Sequence, residues 1–143
     1  MDDHEQLRAL VHRYCDAVCS GNDQQWMNTW TEDAVWNIGR GDVNGRVAIM
    51  HAYRTAMALF ECVYQLTHNG AVAVDGSTAT GRWYMTEHGR TRKGNPIFYL
   101  AHYDDQYRKC DDGWRFSARI LTWHYYGKPD LSGSFGTPPG GAK

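Results

Sequence analysis

Tyr64-Gln65-Leu66-Thr67-His68-Asn69-Gly70-Ala71-Val72-Ala73-Val74-Asp75-Gly76 is the stretch on which the fold turns. Before it, apolar residues recur every three or four positions; from it onward they alternate. Extended chain through residues 64–74 sets Tyr64, Leu66, His68, Val72 and Val74 on one face. Asp75-Gly76 then reads as a hairpin turn. Residues 78–88 follow as a strand with Gly81, Trp83, Met85 and Glu87 on one face and Arg82 and Tyr84 on the other. Arg92-Lys93-Gly94-Asn95 makes the next turn, residues 96–109 a long strand, and Asp111-Asp112-Gly113 the last turn before a strand over 114–126. Long strands joined by tight turns form an antiparallel meander.

Upstream the pattern is helical. Asp2 or Asp3 can cap a helix carrying Leu7, Leu10, Val11, Tyr14 and Val18, which Gly21 ends. Asn22 or Asp23 can cap a second, short helix running through Trp26, Met27 and Trp30. Residues 34–38 read as a short strand closed by Gly39 and Gly41, and a third helix runs from about Arg46 to Leu59. Helices first and a meander after give an α+β fold, with the N-terminal helices packed on a sheet. Residues 1–127 read as one domain, and residues 128–143 as an irregular Gly/Pro-rich tail with a mobile end.

Composition narrows the functions. A net charge of -1 without a long run of one sign excludes the concentrated basic field that nucleic acid or an anionic membrane requires. No apolar stretch is long enough to span a bilayer, and the acidic start Met1-Asp2-Asp3-His4-Glu5 is unlike a secretory signal. Cys15, Cys19, Cys62 and Cys110 include no C-x-x-C pair and read as reduced thiols, so the cytoplasm is the expected compartment. The histidines are scattered, with no ligand spacing for a metal, and neither a nucleotide loop nor a covalent-catalysis signature is present. The expected cofactor is therefore none. Aromatic residues make up 13% of the chain, enough Tyr and Trp to line a small-molecule pocket as well as a core.

Several motifs carry a family resemblance. Tyr14-Cys15-Asp16-Ala17-Val18 and Trp30-Thr31-Glu32-Asp33-Ala34-Val35-Trp36 resemble the opening of SnoaL-like proteins. Gly45-Arg46, His68-Asn69, Gly81-Arg82-Trp83-Tyr84, residues 103–108 and residues 112–116 continue the pattern in order. The resemblance implies a fold like nuclear transport factor 2, a strongly curved sheet forming a cone with one deep pocket. Family members include polyketide cyclases, ketosteroid isomerase, scytalone dehydratase, limonene epoxide hydrolase and a dehydrochlorinase, and others only bind. It also implies a homo-oligomer, a dimer or a trimer, through an exposed sheet face.

The candidate site follows from residues and resemblance together. His68 is a histidine among apolar neighbours, either a core residue satisfied by hydrogen bonds or a general base kept neutral by burial. The resemblance places it with the catalytic histidine of the dehydratase and dehydrochlorinase relatives. Their histidine pairs with an aspartate near the end of the first helix. Here that position reads Asn22 with Asp23 beside it, and both also serve as helix caps. Tyr14 could point a hydroxyl into the cavity or simply pack. Arg119 could hold a departing anion or pair with a carboxylate across the sheet. Trp83 and Met85 match cavity-lining positions, and Glu87 continues that face as an acid, a base or a solvated strand end. Trp26, Trp36, Tyr99, Leu121 and Trp123 complete the expected substrate walls. The function so implied is a cofactor-independent lyase or isomerase, dehydratase- or cyclase-like, acting on a small hydrophobic cyclic molecule. The alternatives are a non-catalytic binding protein and an epoxide hydrolase built on Asp23 and Arg119.

Overall fold

The computed structural model describes residues 1–136. Helix α1 spans Asp3–Ser20 and begins with a reciprocal cap: the Asp2 side chain accepts from the Glu5 backbone, and the Glu5 side chain from the Asp2 backbone. Gly21 ends it at φ 69°, the left-handed turn that glycine adopts without strain. Its stripe of Leu7, Leu10, Val11, Tyr14, Ala17 and Val18 is buried. Each large apolar side chain so buried contributes about 1.5–3 kcal/mol. Helix α2, Asp23–Met27, is capped by Asn22, whose side chain accepts from the Gln25 backbone. Trp30 does not continue this helix as its spacing suggested. It opens strand β1, Trp30–Asn37, and pairs with Phe116, because Thr29 folds its hydroxyl back onto the Trp26 carbonyl and ends the helical turn.

Strand β2 is Val43–Asn44 and helix α3 is Arg46–Met57. The meander follows as β3 (Phe60–Asp75), β4 (Thr78–Thr91), β5 (Pro96–Cys110) and β6 (Gly113–Gly127). These four pair antiparallel in sequence order. Strand β1 adds to β6 in parallel, giving the order β2-β1-β6-β5-β4-β3. Bulges interrupt β3 between Thr67 and Gly70 and shift the β5–β6 ladder twice. Bulges bend strands and increase their twist, so the sheet curves around the helices. The tail is not irregular throughout: Ser134–Phe135 forms β7 against β6, anchored where the Tyr125 hydroxyl donates to the Lys128 carbonyl and accepts from the Gly133 N–H. The expected mobile end, residues 137–143, lies outside the described residues. Among the described residues no helix is long and apolar enough to cross a membrane.

A buried ion pair sits inside the curve. Asp105 and Arg119 are opposite residues on β5 and β6, and Arg119 Nε and Nη2 reach the two Asp105 oxygens at 2.7 and 3.1 Å. Tyr107 donates to Asp105 Oδ2 at 2.7 Å, and Trp83 Nε1 donates to the Tyr107 hydroxyl at 3.0 Å. Burial raises the Asp105 carboxyl while Arg119 opposes it. Burial likewise works against the Arg119 charge, but Asp105 more than offsets it and holds the guanidinium proton tightly. The bidentate geometry favours the ionised form of both. Removing one partner leaves the other charge buried alone. Arg119→Met is therefore expected to lower the unfolding free energy by about 3–5 kcal/mol in urea titrations, and Asp105→Leu in the same chain to restore much of it. A single-variant loss under about 1 kcal/mol would count against the pair as an anchor.

Candidate functional site

Between the concave sheet face and the helices lies a cavity of about 790 Å³. Among its walls are Trp36, Met85, Tyr99, Leu121 and Trp123, with Tyr14 and Tyr103 and the polar pair Gln65 and Glu87. A second depression of about 500 Å³ runs along Ala71, Thr80 and Ile120 on the outer side of the sheet. Of the charged residues along it, Arg82 and Asp104 pair with each other at 2.8 Å and Asp105 with Arg119, which leaves the inner cavity as the candidate site.

His68 is not in the cavity. It is exposed, and its Nε2 is 2.8 Å from the Thr86 hydroxyl. The cause is the β3 bulge. Thr67 pairs with Met85 and Gly70 with Trp83, so His68 and Asn69 together oppose Tyr84. The extra residue inverts which parity faces inward. Below the bulge Val63 and Gln65 are buried while Tyr64 and Leu66 are exposed; beyond it Val72 and Val74 pack against the core. The sequence-based grouping of Tyr64, Leu66, His68, Val72 and Val74 on one face is thereby corrected. Gly70 is what the bulge requires, since a Cβ there would collide with the Trp83 ring and the Arg82 carbonyl.

Other expected site residues are also placed elsewhere. Asn22 caps α2, and Asp23 pairs with Arg54 at 3.1 Å on the surface. Arg119, 1% exposed, is engaged by Asp105 behind the cavity wall. Asp23 and Arg119 are thus each committed to a different partner, and the water-gripping arrangement of an epoxide hydrolase is not formed. Trp26 is fully buried and stacks on Tyr53 at 3.8 Å, and Trp83 turns toward Tyr107. Neither lines the cavity; both support its walls. Tyr14, Trp36, Met85, Glu87, Tyr99, Leu121 and Trp123 do line it.

The cavity has two polar poles. One is a hydroxyl pair. Tyr14 and Tyr103 place their oxygens 3.4 Å apart, and Trp36 Nε1 donates to the Tyr103 oxygen at 3.1 Å. The Arg119 guanidinium carbon lies 3.9 Å from the Tyr103 ring centre and 4.5 Å from that of Tyr14. Burial raises both phenols, and the Arg119 charge works against that rise. A buried cation behind two phenol rings makes them better donors to a developing negative charge.

The other pole is Glu87. It stands directly opposite Gln65 in the β3–β4 ladder, and Gln65 Nε2 donates to Glu87 Oε1 at 3.2 Å. Oε2 carries no protein hydrogen bond among the described residues. Glu87 keeps some exposed surface and lines the aromatic cavity. Burial raises its carboxyl from the ordinary 4.5 to about 7, with the Gln65 hydrogen bond pulling the other way. Its charge is felt at Cys15, Tyr53, Tyr99 and Tyr103. Sequence reasoning missed Gln65 and Tyr103. The mid-strand Gly70 was the signal for a bulge, and a bulge would have brought Gln65 inward.

The sequence matches the SnoaL-like domain family over residues 1–120, and the chain belongs to that family. Its structure is similar to that of a Novosphingobium aromaticivorans protein provisionally assigned as a scytalone dehydratase. The TM-score is 0.84 at 18% identity, covering 97% of this chain and 94% of that one. It is also similar to a hexachlorocyclohexane dehydrochlorinase from Novosphingobium barchaimii, with a TM-score of 0.78 at 19% identity over 94% of both chains. A Mycobacterium tuberculosis protein of unknown function is 25% identical, with a TM-score of 0.74 over 90% of this chain and 75% of that one. No curated protein sequence matches the chain.

The raised carboxyl has a stability consequence. Between 4.5 and about 7 the folded protein holds the Glu87 proton and the unfolded chain does not, so this contribution is lost as pH rises through 7. Glu87→Gln has no such proton to lose. Relative to the native chain it should gain about 2 kcal/mol of stability between roughly pH 5 and 8 in chemical denaturation. An unchanged difference across that range would place Glu87 at an ordinary carboxyl value.

Proposed function

We propose that the protein is a cofactor-independent lyase or isomerase acting on a small, hydrophobic, cyclic carbonyl compound, with Glu87 as its base. The observation that carries this reading is a carboxyl on the wall of an aromatic cavity, with one oxygen free of hydrogen bonds among the described residues and its burial raising it to about 7. Such a group is a carboxylate often enough to accept a proton at neutral pH and basic enough to hold it. The Tyr14–Tyr103 pair supplies the complementary half.

The chemistry runs in balanced steps. Glu87 Oε2 takes a proton from the carbon next to the carbonyl, and the C–H electrons form a C=C bond as the carbonyl oxygen becomes an enolate. Tyr103 and Tyr14 hydrogen-bond that oxygen, with the Arg119 charge behind them. Where a C=C bond is conjugated with the enolate, Glu87 returns the proton at the far carbon of that dienolate, an isomerisation; where the β-carbon carries a leaving group, the carbonyl re-forms, a Cα=Cβ bond replaces the bond to that group, and the group departs with the Glu87 proton, an elimination. Names among the structural neighbours, a dehydratase and a dehydrochlorinase, agree with the second outcome. The apolar walls hold the ring and exclude water, which strengthens each polar contact.

The test follows proton exchange at the α-carbon of β-tetralone and related cyclic ketones in deuterium oxide, read by NMR. The native protein is expected to accelerate exchange, with the rate rising through about pH 7 as Glu87 ionises. Glu87→Gln should lose about 10²–10⁴ of that rate, and Tyr103→Phe about 10²–10³. His68→Ala should stay within about twofold of native, because a side chain outside the cavity stabilises no reacting atom. Exchange no faster than in buffer across the panel would remove the catalytic reading and leave a binding protein.

A further inference from the structure

The mechanism above uses Glu87 and the two phenols but leaves unexplained an amide buried among them. Gln65 is 6% exposed, and a buried glutamine must have its donors and acceptor satisfied. The surrounding contacts fix it from three sides. Cys15 Sγ donates to Gln65 Oε1 at 3.4 Å and sits 2.8 Å from the Thr67 hydroxyl. The Gln65 backbone N–H donates to Cys19 Sγ at 3.2 Å, and the Cys19 thiol lies 3.4 Å from the Gln65 carbonyl oxygen. Because β3 is the last strand of the sheet, Gln65 has no further strand on that side, and helix α1 covers it instead. With the acceptor end turned to Cys15, the amide N–H₂ faces Glu87.

We propose that Gln65 is a positioning residue: pinned by Cys15 and Cys19 of α1, it holds the Glu87 carboxylate by Oε1 so that Oε2 faces the cavity and its substrate. This rests on Glu87 being the base. A hydrogen bond to the charged form stabilises that form, so Gln65 also counters the upward pull of burial on Glu87. Other groups that face Glu87 are Cys15 on α1, Tyr53 on α3, and Tyr99 and Tyr103 on β5, with Arg40 and His51 also lining the cavity. The four that sense its charge are neutral as thiol or phenols near pH 7, each raised by its own burial. The Gln65 amide is thus the only side chain that hydrogen-bonds Glu87 among the described residues.

The experiment is a carbon-13 NMR titration of the Glu87 carboxyl in native protein and in Gln65→Met, which keeps the arm's length and removes the amide. Folding is checked by circular dichroism and thermal unfolding. The expected result is an upward shift of the Glu87 midpoint by about one unit, a tenfold gain in proton affinity. Gln65→Asn, which keeps the amide but shortens the arm by one methylene, should shift it the same way and serves if Gln65→Met fails to fold. In exchange assays the loss should appear in kcat with KM little changed, and the pH profile should move up with the titration. A Glu87 midpoint unmoved in a folded Gln65 variant overturns the positioning role. A native midpoint near 4.5 would instead overturn the reading of Glu87 as a neutral-pH base, whatever Gln65 does.

Discussion

The Arg119–Asp105 pair is the interaction on which the site depends. Two charges taken out of water are costly unless each finds a close, well-aligned partner. Here the partners are fixed across neighbouring strands, Tyr107 donates to the carboxylate, and Trp83 donates in turn to the Tyr107 hydroxyl. The guanidinium then has its flat face left over, and the rings of Tyr14, Tyr103 and Phe116 cover it at 3.9–4.5 Å. Those same phenols turn their oxygens together at one end of the cavity. A structural anchor buried behind these rings thus sets the electrostatics at the cavity end they line. Arg119 itself is not among the residues lining the cavity and lies against the rings that are.

The second constraint is the bulge at residues 67–70. A strand's side chains alternate, so one unpaired residue decides which of two sets faces inward. Without the bulge, the inward parity of Val72 and Val74 would carry down to His68 and Leu66. With it, the residue facing Glu87 is Gln65. The resulting cavity has a carboxyl on one wall and a phenol pair elsewhere, and His68 stands outside it.

Much of the fold was legible because local signals agreed with one another. The reciprocal Asp2–Glu5 cap, Gly21, the apolar stripe of α1 and the turns at Asp75-Gly76 and Asp112-Gly113 all act over short range. The alternation in β4 correctly set Trp83, Met85 and Glu87 on the inner face. The site was less legible because it depends on register and on partners distant in sequence. Asn22 looked like a candidate for a catalytic dyad and is a helix cap; Arg119 was open between anion holder and cross-sheet ion pair, and Asp105 decides for the latter. Tyr103 gave no local sign that it would meet Tyr14, 89 positions away. Trp26 and Trp83 are aromatic enough for a pocket, yet neighbouring rings and hydroxyls claim them first.

The cavity's polar poles are Glu87 and the Tyr14–Tyr103 pair, and His68 stands outside. The most direct measurement is a crystal structure of the protein with β-naphthol, a planar phenol that mimics an enolate, grown near neutral pH. The naphthol oxygen is expected within hydrogen-bond distance of the Tyr103 or Tyr14 hydroxyl, its rings between the aromatic walls and Glu87 Oε2 facing a ring edge. Naphthol bound on the outer face beside His68 and Thr86, with the cavity left empty, would contradict it.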